Sequence, residues 1–114
     1  MDRAAYGASV PAADRGGQRV RFVSKIDRNQ PEIVAALRKC GASVCITSAV
    51  GHGYPDLNVG YRGRTILMEI KDGELPPSAR QLTPDQRVWH ANWHGSPVVV
   101  VNSVAEALNA LEAA

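Results

Sequence analysis

The sequence lacks any long hydrophobic run. No apolar stretch in its 114 residues approaches the roughly 20 residues that a membrane-spanning helix needs, so we expect no contact with a membrane. Asp2, Arg3 and Asp14 fall in an N-terminal region without an apolar stretch, which is unlike a secretory signal. These two absences predict a cytoplasmic protein.

Cysteine is scarce, and no glycine-rich phosphate loop is present. Cys40 and Cys45 do not have CxxC spacing, and a cytoplasmic pair of this kind is expected to be reduced. Because no GK[ST] motif occurs, we expect no nucleotide cofactor. A Cys₂His₂ zinc site with His90 and His94 is an alternative, but the cysteines fall at a helix end and within a strand, which does not bring them together.

Positive charge is concentrated near the N-terminus. The net charge is +2, but residues 1–28 hold six basic and three acidic residues, whereas residues 29–114 hold seven basic and eight acidic ones. A basic arm on a near-neutral body suits an anionic partner such as nucleic acid, although a solubilising tail would look the same. We predict a basic N-terminal arm over residues 1–27 and one folded domain over residues 28–114.

Apolar periodicity and turn-forming residues predict the element order α-β-β-β-α-β-α. Pro31 and Gly41 suit the two ends of a first helix, and a β-rich stretch follows it. Two alternating segments, residues 56–61 and 65–71, then flank Arg62-Gly63 as a hairpin. The pattern Thr-Pro-Asp-Gln at residues 83–86 is typical of a capping box.

The second helix should extend from this capping box to Gly95. We expect Trp89 and Trp93 to anchor it, and His90 and His94 to lie on its exposed or DNA-facing side. A continuous apolar run over residues 97–101 is typical of a buried strand, and a second capping box at residues 103–106 begins a last helix. The prediction is an α/β domain with a mixed, central sheet flanked by helices, plus a C-terminal helix.

The predicted hairpin brings acidic residues together. If Arg62-Gly63 is a two-residue turn, Asp56 lies opposite Glu69, about 5 Å away. Because side chains alternate across a strand, Lys71 lies on the same face. Opposed carboxylates repel each other unless a cation lies between them, and Mg²⁺ or Mn²⁺ prefers such oxygen ligands. A solvated hairpin face with a surface Glu–Lys pair is the alternative.

The order of these motifs resembles the PD-(D/E)XK nuclease superfamily. Pro55-Asp56, twelve intervening residues and then Glu69-Ile70-Lys71 match its signature, and the predicted αβββαβ order matches its restriction-endonuclease-like core. The resemblance covers about residues 29–111 and extends to the VRR-Nuc branch, whose members occur alone in phages and bacteria or fused in larger repair nucleases. The features that match this branch are Gly53-Tyr54-Pro55-Asp56-Leu57, Glu69-Ile70-Lys71, Leu82-Thr83-Pro84-Asp85-Gln86, Trp89 and Gly95.

The resemblance implies a metal-dependent endonuclease that hydrolyses DNA phosphodiester bonds with Mg²⁺ or Mn²⁺. In this interpretation Lys71 orients the attacking water or stabilises the transition state. Two of the residues in the catalytic set have structural alternatives. Glu32 could simply be an acidic residue favoured at a helix N-terminus, and Gln86 could simply complete the capping box. The residues that the resemblance assigns to catalysis are Asp56, Glu69, Lys71, Glu32 and Gln86, and those it assigns to the metal are Asp56, Glu69, Glu32 and the backbone carbonyl of Ile70.

Small stand-alone members of this branch dimerise and cut branched DNA, so the resemblance also implies a homodimer acting on substrates such as four-way junctions. Candidate contacts to DNA phosphates, each of which could equally be a solvated surface residue, are His52, Arg62, Arg64, Arg80 and Arg87. Two other functions remain open. One is a DNA-binding module of the same fold without catalysis. The other is a sequence-specific restriction-type endonuclease, although no segment is long enough to read the major groove.

Overall fold

A four-stranded mixed sheet is built around the predicted hairpin. The structure is a computed structural model and describes residues 26–113. Its strands lie side by side in chain order, and they are β1 (Ser43–Ile46), β2 (Leu57–Tyr61), β3 (Arg64–Ile70) and β4 (Val99–Val101). The first three strands are antiparallel, whereas β4 pairs with β3 in parallel. The prediction of an α/β domain with a mixed sheet is confirmed. The N-terminal arm falls outside the described residues except for Ile26 and Asp27, and it stays a prediction.

The register of the hairpin is the one that a two-residue turn imposes. Tyr61 pairs with Arg64, and the pairing continues without a bulge to Leu57 and Met68. The turn residues Arg62 and Gly63 have φ angles of 51° and 78°, the left-handed conformation that matches the twist of a tight hairpin. This register brings the residue before β2 beside the last residues of β3.

Three α-helices complete the fold: α1 (Gln30–Lys39), α2 (Pro84–Asn92) and α3 (Val104–Ala113). Helices α1 and α3 contact each other and cover the apolar face of the sheet. The side chains at the centre of this core are almost completely buried, and they are Ile33, Leu37, Leu57, Val59, Met68, Ile70, Val101, Ala107 and Leu111. Their burial is the main source of stability in a domain of this size.

Helix α2 is attached in a different way, because none of its residues is buried. It begins at the predicted capping box, in which the Thr83 hydroxyl accepts a hydrogen bond from the Gln86 backbone N–H. The Trp89 ring makes an edge contact with the Tyr54 ring, with a centroid distance of 5.0 Å, and stacks on the Trp93 ring, with a centroid distance of 4.8 Å. Aromatic contacts and polar groups therefore hold α2 on the face of the sheet that α1 and α3 leave uncovered.

Three expectations about the C-terminal half need correction. Helix α2 ends at Asn92, three residues before Gly95. The apolar run gives a strand of only three residues at the edge of the sheet, and the prediction of a buried strand holds in part: Val101 is 1% exposed, but Val100 is 40% exposed. Only one of the two hydrogen bonds of the second capping box forms. The Ser103 hydroxyl accepts from the Glu106 N–H, but the Glu106 carboxylate accepts from the backbone N–H of Asn102 instead of that of Ser103.

In the part of the chain that the structure describes, no helix has the length and apolar character to cross a membrane.

Candidate active site

A cleft of about 650 Å³ opens between the ends of β2 and β3, the glycine loop before β2 and the start of α2. Five residues that the sequence analysis selected line it: His52, Asp56, Glu69, Lys71 and Gln86. They come from separate parts of the chain and meet because the hairpin aligns Asp56 with the end of β3 while α2 lies across that end. The structure therefore brings the two acids and the lysine together.

Asp56 and Glu69 form a closely coupled pair of carboxyl groups. The Ile70 backbone N–H donates to Asp56 Oδ2 at 2.8 Å, which fixes this carboxylate against β3. Glu69 is 1% exposed. Burial, followed by a hydrogen bond with Asp56 and the charge of Asp56, raises the pKa of Glu69 from 4.5 to about 9, although Lys71 acts in the opposite direction. Without a cation, burial and the neighbouring Asp56 therefore favour the protonated, neutral form of Glu69.

Gln86 connects the lysine to the glutamate. The Lys71 ammonium donates to Gln86 Oε1 at 2.8 Å, and Gln86 Nε2 donates to Glu69 Oε2 at 2.9 Å. The same Oε1 atom accepts from the backbone N–H of Thr83 at 2.9 Å. Gln86 thus closes the capping box and also fixes two groups of the site, so both of the roles considered for it are present in its contacts.

The beginning of α1 holds the backbone that follows β3. Arg28 makes a two-point ion pair with Asp72, at 3.0 Å from Nε and 2.8 Å from Nη2. A hydrogen bond from Arg28 lowers the pKa of Asp72. Asn29 Nδ2 donates to the Lys71 carbonyl at 3.1 Å, and the Lys71 N–H donates to the Val101 carbonyl at 3.0 Å. The lysine backbone is consequently held from both sides, which leaves its side chain a narrow range of positions.

The donor set at the carboxyl pair suits a hard divalent cation. Glu69 Oε1 is buried and has no hydrogen-bond partner among the described residues, and Asp56 lies beside it. Residues 26–113 contain no group of three or more His, Cys, Asp or Glu side chains placed to hold a metal ion. Mg²⁺, however, is commonly bound by one or two carboxylates together with waters and substrate phosphate. Two adjacent carboxyl groups fit such an ion, and the Ile70 carbonyl stays a predicted third ligand. Cys40 and Cys45 are both exposed and free.

The raised pKa of Glu69 predicts how stability depends on pH in the metal-free protein. An acid whose pKa rises on folding destabilises the folded state as pH rises, here between about 4.5 and about 9. Glu69→Gln removes this ionisation and should raise the free energy of unfolding at pH 8 by about 1–3 kcal/mol. The gain is limited because Asp56, whose charge repels the ionised Glu69, is partly exposed, so that solvent screens the repulsion. Urea titrations in EDTA from pH 5 to pH 9 measure this. Parallel curves for wild type and variant would show that Glu69 ionises normally.

Other selected residues lie away from this cluster. Glu32 is exposed and lines a separate cavity beside Arg28 and Asp72, so the structure does not bring it to the carboxyl pair. Among the arginines proposed to contact DNA, the Arg62 guanidinium lies over the Tyr61 ring and 3.7 Å from Glu112. The remaining arginines border neither carboxylate, and they are Arg64, Arg80 and Arg87. Only His52 among the proposed DNA contacts lines the cleft.

The sequence analysis missed one residue of the cluster. His90 was expected on the exposed or DNA-facing side of α2, without a contact to the acids, but its side chain is only 15% exposed and its Nε2 atom lies 3.8 Å from Glu69 Oε1. Burial and the charge of Lys71 lower the pKa of His90. The signal that could have found it is its spacing, since His90 follows Gln86 by one helical turn and so shares its face. His94, by contrast, is exposed as expected.

Comparison of the chain with models of known protein families, with curated proteins and with solved structures gave no match.

Proposed function

We propose that this protein is a metal-dependent DNA endonuclease that hydrolyses phosphodiester bonds. The observation that carries the proposal is a buried carboxyl group, Glu69, held against Asp56 in a cleft that also contains the Lys71 ammonium. A buried acid beside a second acid is costly, and carboxyl groups with such perturbed pKa values cluster at functional sites. The motif order, which resembles the PD-(D/E)XK superfamily and its VRR-Nuc branch, supports the same conclusion.

Asp56, Glu69 and the backbone carbonyl of Ile70 would hold the metal ion, Mg²⁺ or Mn²⁺. When bound, such an ion polarises a phosphoryl oxygen and lowers the pKa of a coordinated water. Two hydrogen bonds already orient the carboxyl groups that would bind this ion. The Ile70 N–H orients the Asp56 carboxylate, and Gln86 Nε2 orients that of Glu69.

Lys71 supplies the positive charge on the substrate side of the site. Its ammonium group has three donors, one of which goes to Gln86 Oε1, and its side chain lies in the same cleft as both acids. A water molecule or a non-bridging phosphate oxygen would be bound by the remaining donors. Charge that develops on the phosphate during hydrolysis would then be stabilised by a group whose position the Gln86 bond has already fixed.

Branched DNA is the substrate that we propose, with a homodimer as the active form. Symmetric cuts in a four-way junction require two active sites related by a two-fold axis, which a dimer of identical chains supplies. The choice of substrate depends on the resemblance to stand-alone VRR-Nuc proteins. A DNA-binding module without catalysis is a less suitable interpretation, because simple binding gives no reason to bury Glu69 beside a second acid.

Cleavage of a labelled four-way junction tests the proposal. We expect wild type to cut the junction symmetrically in two opposing strands with Mg²⁺ or Mn²⁺, and a linear duplex of matched sequence much less. Glu69→Gln should lower the rate by more than about 100-fold, because a metal ligand loses its charge. EDTA should abolish cutting.

Each alternative has a distinct result in the same assay. Equal cutting of both substrates would keep the chemistry and refute the preference for branched DNA. Cutting of the duplex at one sequence would indicate a restriction-type enzyme. Tight binding without cutting under any metal would refute the endonuclease and indicate a binding module.

A further inference from the structure

Two buried polar atoms, one on β3 and one on α2, lie close to each other without a hydrogen-bond partner among the described residues. Glu69 Oε1 and His90 Nε2 are both inaccessible to solvent, and neither makes a hydrogen bond within residues 26–113. The distance between them is 3.8 Å. A buried donor or acceptor without a partner is costly and rare in proteins, so the pair calls for a specific explanation.

Helix α2 presents one side chain to each oxygen of the Glu69 carboxylate. Gln86, in the first turn, donates to Oε2 at 2.9 Å, and His90, one turn later, faces Oε1. Each carboxylate oxygen has two lone pairs, so each can accept a hydrogen bond and still bind a cation. The helix therefore has the arrangement needed to clamp both ends of a metal-binding carboxylate.

We infer that His90 is a positioning residue that donates from Nε2 to Glu69 Oε1 and fixes the carboxylate in its metal-binding orientation. The effect of His90 on metal binding rests on the proposed metal site. The contact between His90 and Glu69 does not rest on that site. A shortening of less than 1 Å from the present 3.8 Å would give an ordinary hydrogen bond. Partners of this kind orient metal ligands, and their loss typically weakens metal affinity or activity about 10- to 100-fold.

Packing alone would be a competing explanation for His90. Its ring makes an edge contact with Trp89, with a centroid distance of 6.4 Å, so the imidazole also fills space on α2. Phenylalanine would keep a somewhat larger aromatic ring in this space and remove the donor, whereas glutamine can place an amide N–H near the Nε2 position. Comparison of these two replacements separates hydrogen bonding from packing.

The first measurement is Mn²⁺ affinity by titration calorimetry, which does not require cleavage. We expect His90→Phe to weaken Mn²⁺ binding by about 10- to 100-fold. His90→Gln should bind Mn²⁺ with an affinity within a few-fold of wild type, because its amide N–H replaces the lost donor. His94→Phe, at an exposed position just after the end of α2, is the matched control and should bind Mn²⁺ with wild-type affinity. Wild-type affinity in His90→Phe would overturn the inference.

The second measurement follows the imidazole ring nitrogens by NMR in the metal-free protein. Glu69→Met, which removes the carboxyl group and keeps an apolar chain of similar length, should shift the His90 ring signals and leave those of His94 in place. Unchanged His90 signals would overturn the contact. If wild type bound no Mn²⁺ but the His90 signals still shifted, the proposed metal site would fail while the contact between His90 and Glu69 would stand.

Discussion

Lys71→Met is expected to lower kcat for junction cleavage by about 10²- to 10³-fold while Mn²⁺ affinity at pH 8 stays within a few-fold of wild type. Removal of one fixed donor that stabilises charge in a transition state typically has an effect of this size. Methionine keeps most of the apolar stem, so the buried position remains filled. Gln86 Oε1 keeps its bond from the Thr83 N–H, so α2 remains capped.

The control for this variant is Lys39→Met. Lys39 is exposed in the last turn of α1, so its replacement removes the same charge without touching the cleft. We expect its kcat and its affinity for the junction to stay near wild type. Cleavage by Lys71→Met within threefold of wild type would mean that the ammonium group has no part in the transition state, and the proposed role of Lys71 would be wrong.

Gly53→Ala is expected to lower the free energy of unfolding by about 2–5 kcal/mol and to impair cleavage in the fraction that folds. The residue has a φ angle of 87°, which is unfavourable for any side chain. A Cβ atom there would also collide with the Asp85 carbonyl group, whose carbon would be 2.7 Å away, and would lie 3.1 Å from the Gln86 nitrogen. Because Asp85 and Gln86 form the first turn of α2, relief of the collision must move the helix that carries Gln86 and His90.

Gly51→Ala provides the matched control in the same loop. Gly51 has nearly the same φ angle, 81°, but a Cβ atom there would meet nothing within 4 Å. Its replacement should therefore show only the backbone strain, about 1–3 kcal/mol for the glycine-restricted conformation with φ 81° and ψ −175°, and should leave kcat close to wild type. Thermal or urea unfolding and the cleavage assay measure both variants. Equal effects of the two replacements would show that close approach of Gly53 to α2 is unimportant.

The local features of the fold could be predicted because short-range rules determine them. Arg62-Gly63 selects a two-residue turn, and that turn sets the pairing of β2 with β3 at every position. Thr83 and Gln86 form their capping box because the interacting groups are only three residues apart. The meeting of Asp56, Glu69 and Lys71 follows from the same hairpin register, so the centre of the candidate site was available from the sequence.

The rest depended on how distant elements pack. The face of α2 that meets the sheet is set by aromatic contacts of Trp89 with Tyr54, and this choice turns His90 toward Glu69 rather than toward solvent. The apolar run before α3 appears buried from its composition, but its place at the sheet edge leaves Val100 exposed. Sequence patterns alone determined which residues pair within the hairpin, because neighbouring residues fix that geometry. Only the tertiary structure decided what surrounds the carboxyl pair, since those contacts join residues that no local periodicity connects.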